Sequence, residues 1–173
     1  MSDQQGASSD KESRRTVLAV RGLLYQLSLG GILLLRRSSD SDFSPGMWEL
    51  PGGKYNDSSM SMYQALQREY IEETGIAVVA TQPPIFEWEK PAGLPPKYPG
   101  DVLYRCLILR VHLLYPTIRE VILSEEHDEF MWIEPTPDKL TPFGDYLPKE
   151  TRDALELFYQ HNIYLPELLR RPR

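Results

Sequence analysis

Three glutamates in the middle of the chain, Glu69, Glu72 and Glu73, have a spacing that suits cation binding. Residues three and four apart are neighbours on a helix surface, so a single helical face would carry all three carboxylates. Clustered carboxylates repel one another unless a cation lies among them. Hard oxygen ligands that leave room for water and phosphate favour Mg²⁺ or Mn²⁺. The trio therefore indicates a metal-dependent enzyme that acts on a phosphate-containing substrate.

The sequence around the glutamates predicts the helix that they need. Ser61 and Gln64 form an S-x-x-Q capping box, which marks a helix start. Gly75 stands where a helix commonly ends in a left-handed residue. Leu66 and Tyr70 supply an apolar side, and the glutamates lie on another side. We therefore expect a helix that begins after Ser61 and ends at Gly75.

Strands are predicted on both sides of this helix, which indicates a layered domain. Apolar runs predict strands over 17–24, 31–37, 47–50, 76–80, 102–114 and 130–133, and a second helix over 149–160. The Pro-rich segment 82–100 is predicted to be a long loop. Mixed strands with two helices separated in sequence predict an α+β fold, with an α/β/α sandwich around a mixed β-sheet.

Composition limits the class of protein. The 173 residues suffice for one domain, which we expect over 15–173, behind a disordered N-terminal tail over 1–14. A net charge of −6 argues against electrostatic binding of the whole chain to nucleic acid or to an anionic membrane. Cys106 is the single cysteine, so the chain forms no internal disulfide and no cysteine zinc site. Without an apolar run of 18 residues, a cytoplasmic location is expected.

A longer pattern runs through the helix and the turn before it. Arg68, the three glutamates and Gly75 follow Gly53, and this stretch resembles the Nudix box, G-x5-E-x7-R-E-U-x-E-E-x-G-U, where U is a bulky apolar residue. The lead-in over 48–54, the strand over 33–37 and the segment over 126–133 resemble the same family. The resemblance implies a Nudix fold and a pyrophosphohydrolase of the type that cleaves phosphoanhydrides.

The box departs from the family pattern at its first glutamate. Counting back from Arg68, that position is Met60, and the loop from Gly53 is one residue longer than the pattern. Asp57 is the nearest carboxylate that could take its place. Since the family's first glutamate mainly braces the arginine and the metal site, we expect weaker catalysis that is not abolished.

The resemblance also implies roles at the metal centre. Glu69, Glu72 and Glu73 would bind Mg²⁺ or Mn²⁺ together with the Gly52 carbonyl, and the metal would activate a water. Arg68 is interpreted as an orienting residue, because an ion pair with Glu72 at i,i+4 would aim the carboxylates. The base that takes the proton of this water stays open among three carboxylates, Glu69, Glu126 and Glu129. His127 is interpreted either as a surface residue or as one that orients a carboxylate.

The substrate site follows from residues outside the box. Arg37 or Arg36 could hold phosphates, and Trp88 and Phe86 could stack on a base, although aromatic residues are more often structural. Proteins similar to this one cleave nucleoside triphosphates, ADP-ribose or nucleotide sugars. Pro91, 15 residues past the box, favours ADP-ribose, whereas the lead-in over 50–53 favours nucleoside triphosphates.

Two classes of function therefore remain at this stage. The first is a hydrolase of a nucleoside diphosphate derivative, with a small nucleotide as its partner and neither nucleic acid nor membrane. The second is a non-catalytic nucleotide-sensing or protein-interaction module on the same fold, which the missing first glutamate motivates. Because Nudix proteins are often dimers, the resemblance also admits a homodimer.

Overall fold

A mixed eight-stranded sheet forms the centre of the protein in a computed structural model, which describes residues 15–56, 58–81, 83–91, 102–118 and 120–162. The strands are β1 (Arg15–Gln26), β2 (Gly31–Arg37), β3 (Trp48–Glu49), β4 (Gly52–Tyr55), β5 (Val78–Ala80), β6 (Phe86–Pro91), β7 (Val102–Leu113) and β8 (His127–Ile133). The helices are α1 (Met62–Thr74), α2 (Pro137–Leu140) and α3 (Lys149–Asn162), with short 3-10 helices at Leu27–Leu29 and Thr141–Tyr146.

The sheet mixes one parallel pairing with antiparallel ones. Strands β1 and β7 run parallel over ten residue pairs, from Arg15 opposite Val102 to Leu24 opposite Val111. Antiparallel partners are β2 and β4 for β1, β3 and β8 for β2, and β5 and β6 for β7. The resulting order is β3-β2-β1-β7-β5. In addition, β8 pairs with β2, β4 pairs with β1, and β6 pairs with β7.

Alternation of side chains along the strands produces two apolar cores. Leu23 packs in one core and the next residue, Leu24, packs in the other. Leu66 of α1 joins the core that contains Leu24, whereas Leu155 of α3 joins the core that contains Leu23. The two helices therefore cover opposite faces of the sheet, which confirms the predicted α/β/α sandwich.

The caps of α1 are as the sequence predicts. The Ser61 hydroxyl accepts a hydrogen bond from the Gln64 backbone at 3.3 Å, and the Gln64 side chain accepts one from the Ser61 backbone at 2.9 Å. Gly75 ends the helix in the left-handed region, with φ of 69°. The helix that carries the three glutamates is thus fixed by local sequence at both ends.

The prediction of a continuous loop over 82–100 is wrong, because β6 lies within it. Trp88 of β6 pairs with Cys106 of β7 in antiparallel register. Pro83 and Pro84 precede the strand and Pro91 ends it, and these are positions where proline does not interrupt a ladder. The remainder of the segment, 92–101, lies outside the described residues, as do the predicted tail and residues 163–173. No helix within the described ranges is long and apolar enough to span a membrane.

Candidate active site

A cleft with a volume of about 1080 Å³ brings together residues from most of the sheet and from two helices. Its lining includes Arg21 of β1, Arg37 of β2, Glu49 of β3, Gly52, Gly53 and Lys54 of β4, Arg68, Glu69 and Glu73 of α1, Trp88 of β6, Tyr104 and Cys106 of β7, and Lys149 and Glu150 of α3. Charged groups of both signs therefore face the same space as three aromatic side chains, Phe43, Trp88 and Tyr104.

The turn at Gly52 and Gly53 fits tightly against the acidic side of α1. The Gly52 amide donates a hydrogen bond of 2.7 Å to Glu73 Oε2. Gly52 has φ of 135°, and a Cβ there would lie 2.3 Å from the Val20 carbonyl oxygen. A Cβ on Gly53 would lie 2.7 Å from Glu69 Oε2. Gly52 is therefore required for this turn to lie against β1, whereas a side chain at Gly53 would displace the Glu69 carboxylate from its position beside the turn.

Glu73 is an acid whose surroundings favour a nearby cation. Its pKa is raised to about 8, mainly by burial and also by the charges of Glu49 and Glu69, against the lowering effects of the Gly52 amide and Arg21. A divalent cation would offset both the lost hydration and the repulsion from Glu69. Glu69 and Glu73 thus fit Mg²⁺ or Mn²⁺, which use one or two carboxylates and keep several waters.

The third glutamate of the trio lies apart from these two. The Glu72 side chain is 58% exposed and is absent from the part of the cleft lining that the structure describes. Arg68 joins it to the pair: its Nη2 lies 2.6 Å from Glu69 Oε1, and its Nε lies 3.7 Å from Glu72 Oε1. Across the described ranges, no three His, Cys, Asp or Glu side chains are arranged to hold a metal ion.

A buried carboxylate that the sequence did not reveal, Glu49, binds several side chains in the cleft. Its Oε2 lies 2.8 Å from Arg21 Nη2, and its Oε1 lies 3.0 Å from Arg37 Nη1 and 3.2 Å from His127 Nε2. Burial alone would raise its pKa, but Arg21, His127 and Arg37 together lower it to about 2. Glu49 therefore stays ionised, and His127 does contact a carboxylate. Arg21 and Glu49 were missed because each is a single charge in an apolar strand.

Residues proposed for substrate or proton transfer separate into two groups. Arg37, Trp88 and Glu126 line the cleft. Arg36 and Glu129, by contrast, form an ion pair of 2.7 Å outside it. A second depression contains Arg36, whose guanidinium lies 5.9 Å from the centre of the Trp48 ring.

Phe86, proposed to stack on a base, and Met60, at the position of the missing glutamate, are also absent from the described lining of the cleft. Phe86 packs on the core that contains α3. The Met60 carbonyl accepts a hydrogen bond of 2.7 Å from the Tyr55 hydroxyl, which fixes the loop where the family has its first glutamate. Asp57 lies outside the described residues.

Comparison with known proteins identifies the family. The NUDIX domain model matches residues 15–148. The nucleoside triphosphatase NudI of Escherichia coli O139:H28 is 28% identical over 109 residues, which are 61% of this chain and 74% of that protein. The MutT protein of Methanosarcina mazei Go1 superposes with a TM-score of 0.67 at 27% identity, over 87% of this chain and 98% of the other. The E. coli ORF135 protein superposes with a TM-score of 0.65 at 24% identity, over 89% of this chain and 96% of the other. The chain belongs to the Nudix family and is a hydrolase of the pyrophosphohydrolase class.

Proposed function

We propose that the protein hydrolyses a diphosphate linkage in a nucleoside triphosphate, with Mg²⁺ or Mn²⁺ bound at the acidic wall of the cleft. One observation carries this proposal: Glu69 and Glu73 share the cleft with Arg37. Hard acidic ligands and a phosphate-binding guanidinium thus face the same space. Glu69, Glu73 and the Gly52 carbonyl would hold the metal, with Glu72 as the remaining ligand that the box implies. When bound, the metal neutralises phosphate charge and activates water.

The other residues of the cleft have roles that follow from their positions. Arg37 binds phosphate oxygens, since a guanidinium offers paired donors to them. Trp88, which meets Tyr104 edge-to-face with ring centroids 6.0 Å apart, offers a stacking surface to the base. Glu126 takes the proton from the attacking water. Arg68 orients Glu69 through the contact described above.

Nucleoside triphosphates are favoured over ADP-ribose and nucleotide sugars by the relatives. NudI, which is 28% identical over 61% of this chain, is named as a nucleoside triphosphatase, whereas the ADP-ribose pyrophosphatase from Streptococcus suis, at 21% identity, shares the fold alone. Pro91, the residue that favours ADP-ribose, ends strand β6 and therefore has a structural reason to be present.

The test is a panel of nucleoside triphosphates, ADP-ribose and nucleotide sugars, each incubated with Mg²⁺ or Mn²⁺ and assayed for released phosphate or pyrophosphate. We expect turnover of at least one triphosphate and a loss of at least about 100-fold in Glu73→Gln. Glu120→Gln, a change at an exposed glutamate, should retain full activity. Tight binding without turnover of any compound would favour the non-catalytic sensor instead.

A further inference from the structure

We propose that Glu49 is a positioning residue, which holds Arg37 at the cleft wall in the orientation that receives substrate phosphate. The assignment rests on the proposed function, because Arg37 meets phosphate only if the cleft binds nucleotides. Glu49 itself need not touch the substrate. It acts through the guanidinium that its carboxylate holds.

Glu49 binds side chains from several strands at once. Its side chain is 6% exposed, so water cannot replace the partners that it would lose. Arg21 comes from β1, Arg37 from β2 and His127 from β8, and all three meet the carboxylate of β3. A buried, ionised and multiply bonded carboxylate is a rigid anchor, because any movement would leave a charge unpaired.

The contacts of Arg37 divide into fixed and exchangeable ones. Its Nε donates to the Phe43 carbonyl at 2.8 Å, and its Nη1 meets buried Glu49 at 3.0 Å. Its Nη2 donates to the Ser41 hydroxyl at 2.9 Å and lies 3.3 Å from Glu126 Oε2. The Glu126 side chain is 65% exposed, so this last contact is the one that an incoming phosphate can replace. The inner carboxylate positions the guanidinium, while the outer one yields to the substrate.

Charge balance explains why the anchor matters for phosphate. Once phosphate has replaced Glu126, Arg21 and Arg37 carry two positive charges beside the single negative charge of Glu49, which leaves one net positive charge in this group. Without the carboxylate, the two guanidiniums repel each other and Arg37 loses its fixed orientation. The loss falls on phosphate binding rather than on the chemical step. Such a loss raises KM and leaves kcat nearly unchanged.

The decisive experiment is a double-mutant cycle of Glu49→Gln and Arg37→Gln. The readouts are KM and kcat for the triphosphate that the panel identifies, together with the calorimetric Kd for inorganic pyrophosphate with Mg²⁺. We expect Glu49→Gln alone to raise KM and Kd about 10-fold with kcat within about 3-fold. In the Arg37→Gln background, adding Glu49→Gln should raise KM and Kd less than about 2-fold. Equal effects in both backgrounds, or a fall in kcat alone, would overturn the assignment.

Two further variants keep the result interpretable. Glu129→Gln is the matched control, because it removes a carboxylate from Arg36 outside the cleft and should change neither KM nor Kd. Glu49→Asp keeps the buried charge if the amide variant does not fold, and its shorter side chain should raise KM about 3-fold. An unchanged KM in folded Glu49→Asp contradicts the assignment. A wild-type protein that hydrolyses no nucleotide defeats the proposed function instead, whereas an active one with unchanged KM in the variants defeats only the role of Glu49.

Discussion

Glu126 and Glu129 are three residues apart in the chain, yet they face different parts of the molecule. Glu126 precedes β8 and reaches the cleft, where it lies 3.3 Å from Arg37 Nη2. Glu129 lies within β8 and pairs with Arg36 outside the cleft. A base must come within hydrogen-bond reach of the water that it deprotonates, and of these two carboxylates only Glu126 lines the described part of the cleft.

This difference in position makes a prediction about proton transfer. Glu126→Gln should lower kcat at least about 100-fold, because a positioned base contributes about 100- to 10,000-fold. Glu129→Gln removes the same negative charge from a residue outside the cleft and should lower kcat less than about 3-fold. Steady-state kinetics at saturating metal compares the two. Near wild-type kcat in both variants would move the role of base to Glu69.

The residues of the site show what the sequence could predict and what it could not. Helical spacing predicts Glu69, Glu72 and Glu73 together on α1; the structure brings Glu69 and Glu73 to the cleft and leaves Glu72 58% exposed. The choice between Arg36 and Arg37 was not available from the sequence, since it depends on which face of β2 meets the cleft. Glu49 shows the same limit, because its partners come from other strands and are 12 to 78 positions away.

At the scale of elements, α1 positions Glu69 and Glu73 on the cleft wall. The N-terminal cap of this helix should contribute to the stability of the fold. Ser61→Ala removes the hydroxyl that accepts a hydrogen bond from the Gln64 backbone amide. We expect a loss of about 1 kcal/mol in the free energy of unfolding, as is typical for an N-cap serine. Ser28→Ala, at an exposed position in the first 3-10 helix, should lose less than about 0.5 kcal/mol. Urea unfolding measures both, and equal losses would show that the cap is not what holds the helix start.

Strand β6 shows how a strong local signal can conceal an element. The prolines around it predicted a loop, although Phe86 and Trp88 alternate with Glu87 and Glu89 as in a half-buried strand. Pairing with β7 satisfies the backbone of this segment and carries Trp88 to the cleft. The alternation was the better guide, because prolines that stand at the ends of a strand do not interrupt it.

At the scale of the molecule, the sandwich follows from apolar faces that the sequence displays, whereas the pairing of strands does not. The runs that form β1, β2 and β7 are apolar on both faces and therefore predict a sheet covered on both sides. The parallel pairing of β1 with β7 joins segments more than 80 residues apart. No local pattern encodes such a pairing, so the cleft that it helps to build appears only in the folded chain.

The network around Glu49 should also set the stability of the whole fold in acid, because it ties β1, β2, β3 and β8 together. The folded state lowers the pKa of Glu49 from 4.5 to about 2. The stabilising contribution is therefore complete above about pH 4.5 and is lost as the pH falls towards 2. This lowering of the Glu49 pKa corresponds to a contribution of about 3 kcal/mol to the free energy of unfolding.

Urea unfolding of wild-type protein and Glu49→Gln at a series of pH values measures this contribution. The difference in the free energy of unfolding between the two proteins should be largest near pH 6 and should shrink steadily below pH 4.5, because protonated Glu49 then resembles the amide. Glu126→Gln, which removes an exposed partner of the same arginine, should show little such pH dependence. A wild-type advantage that persists unchanged to pH 2 would mean that the carboxylate charge does not hold the four strands together.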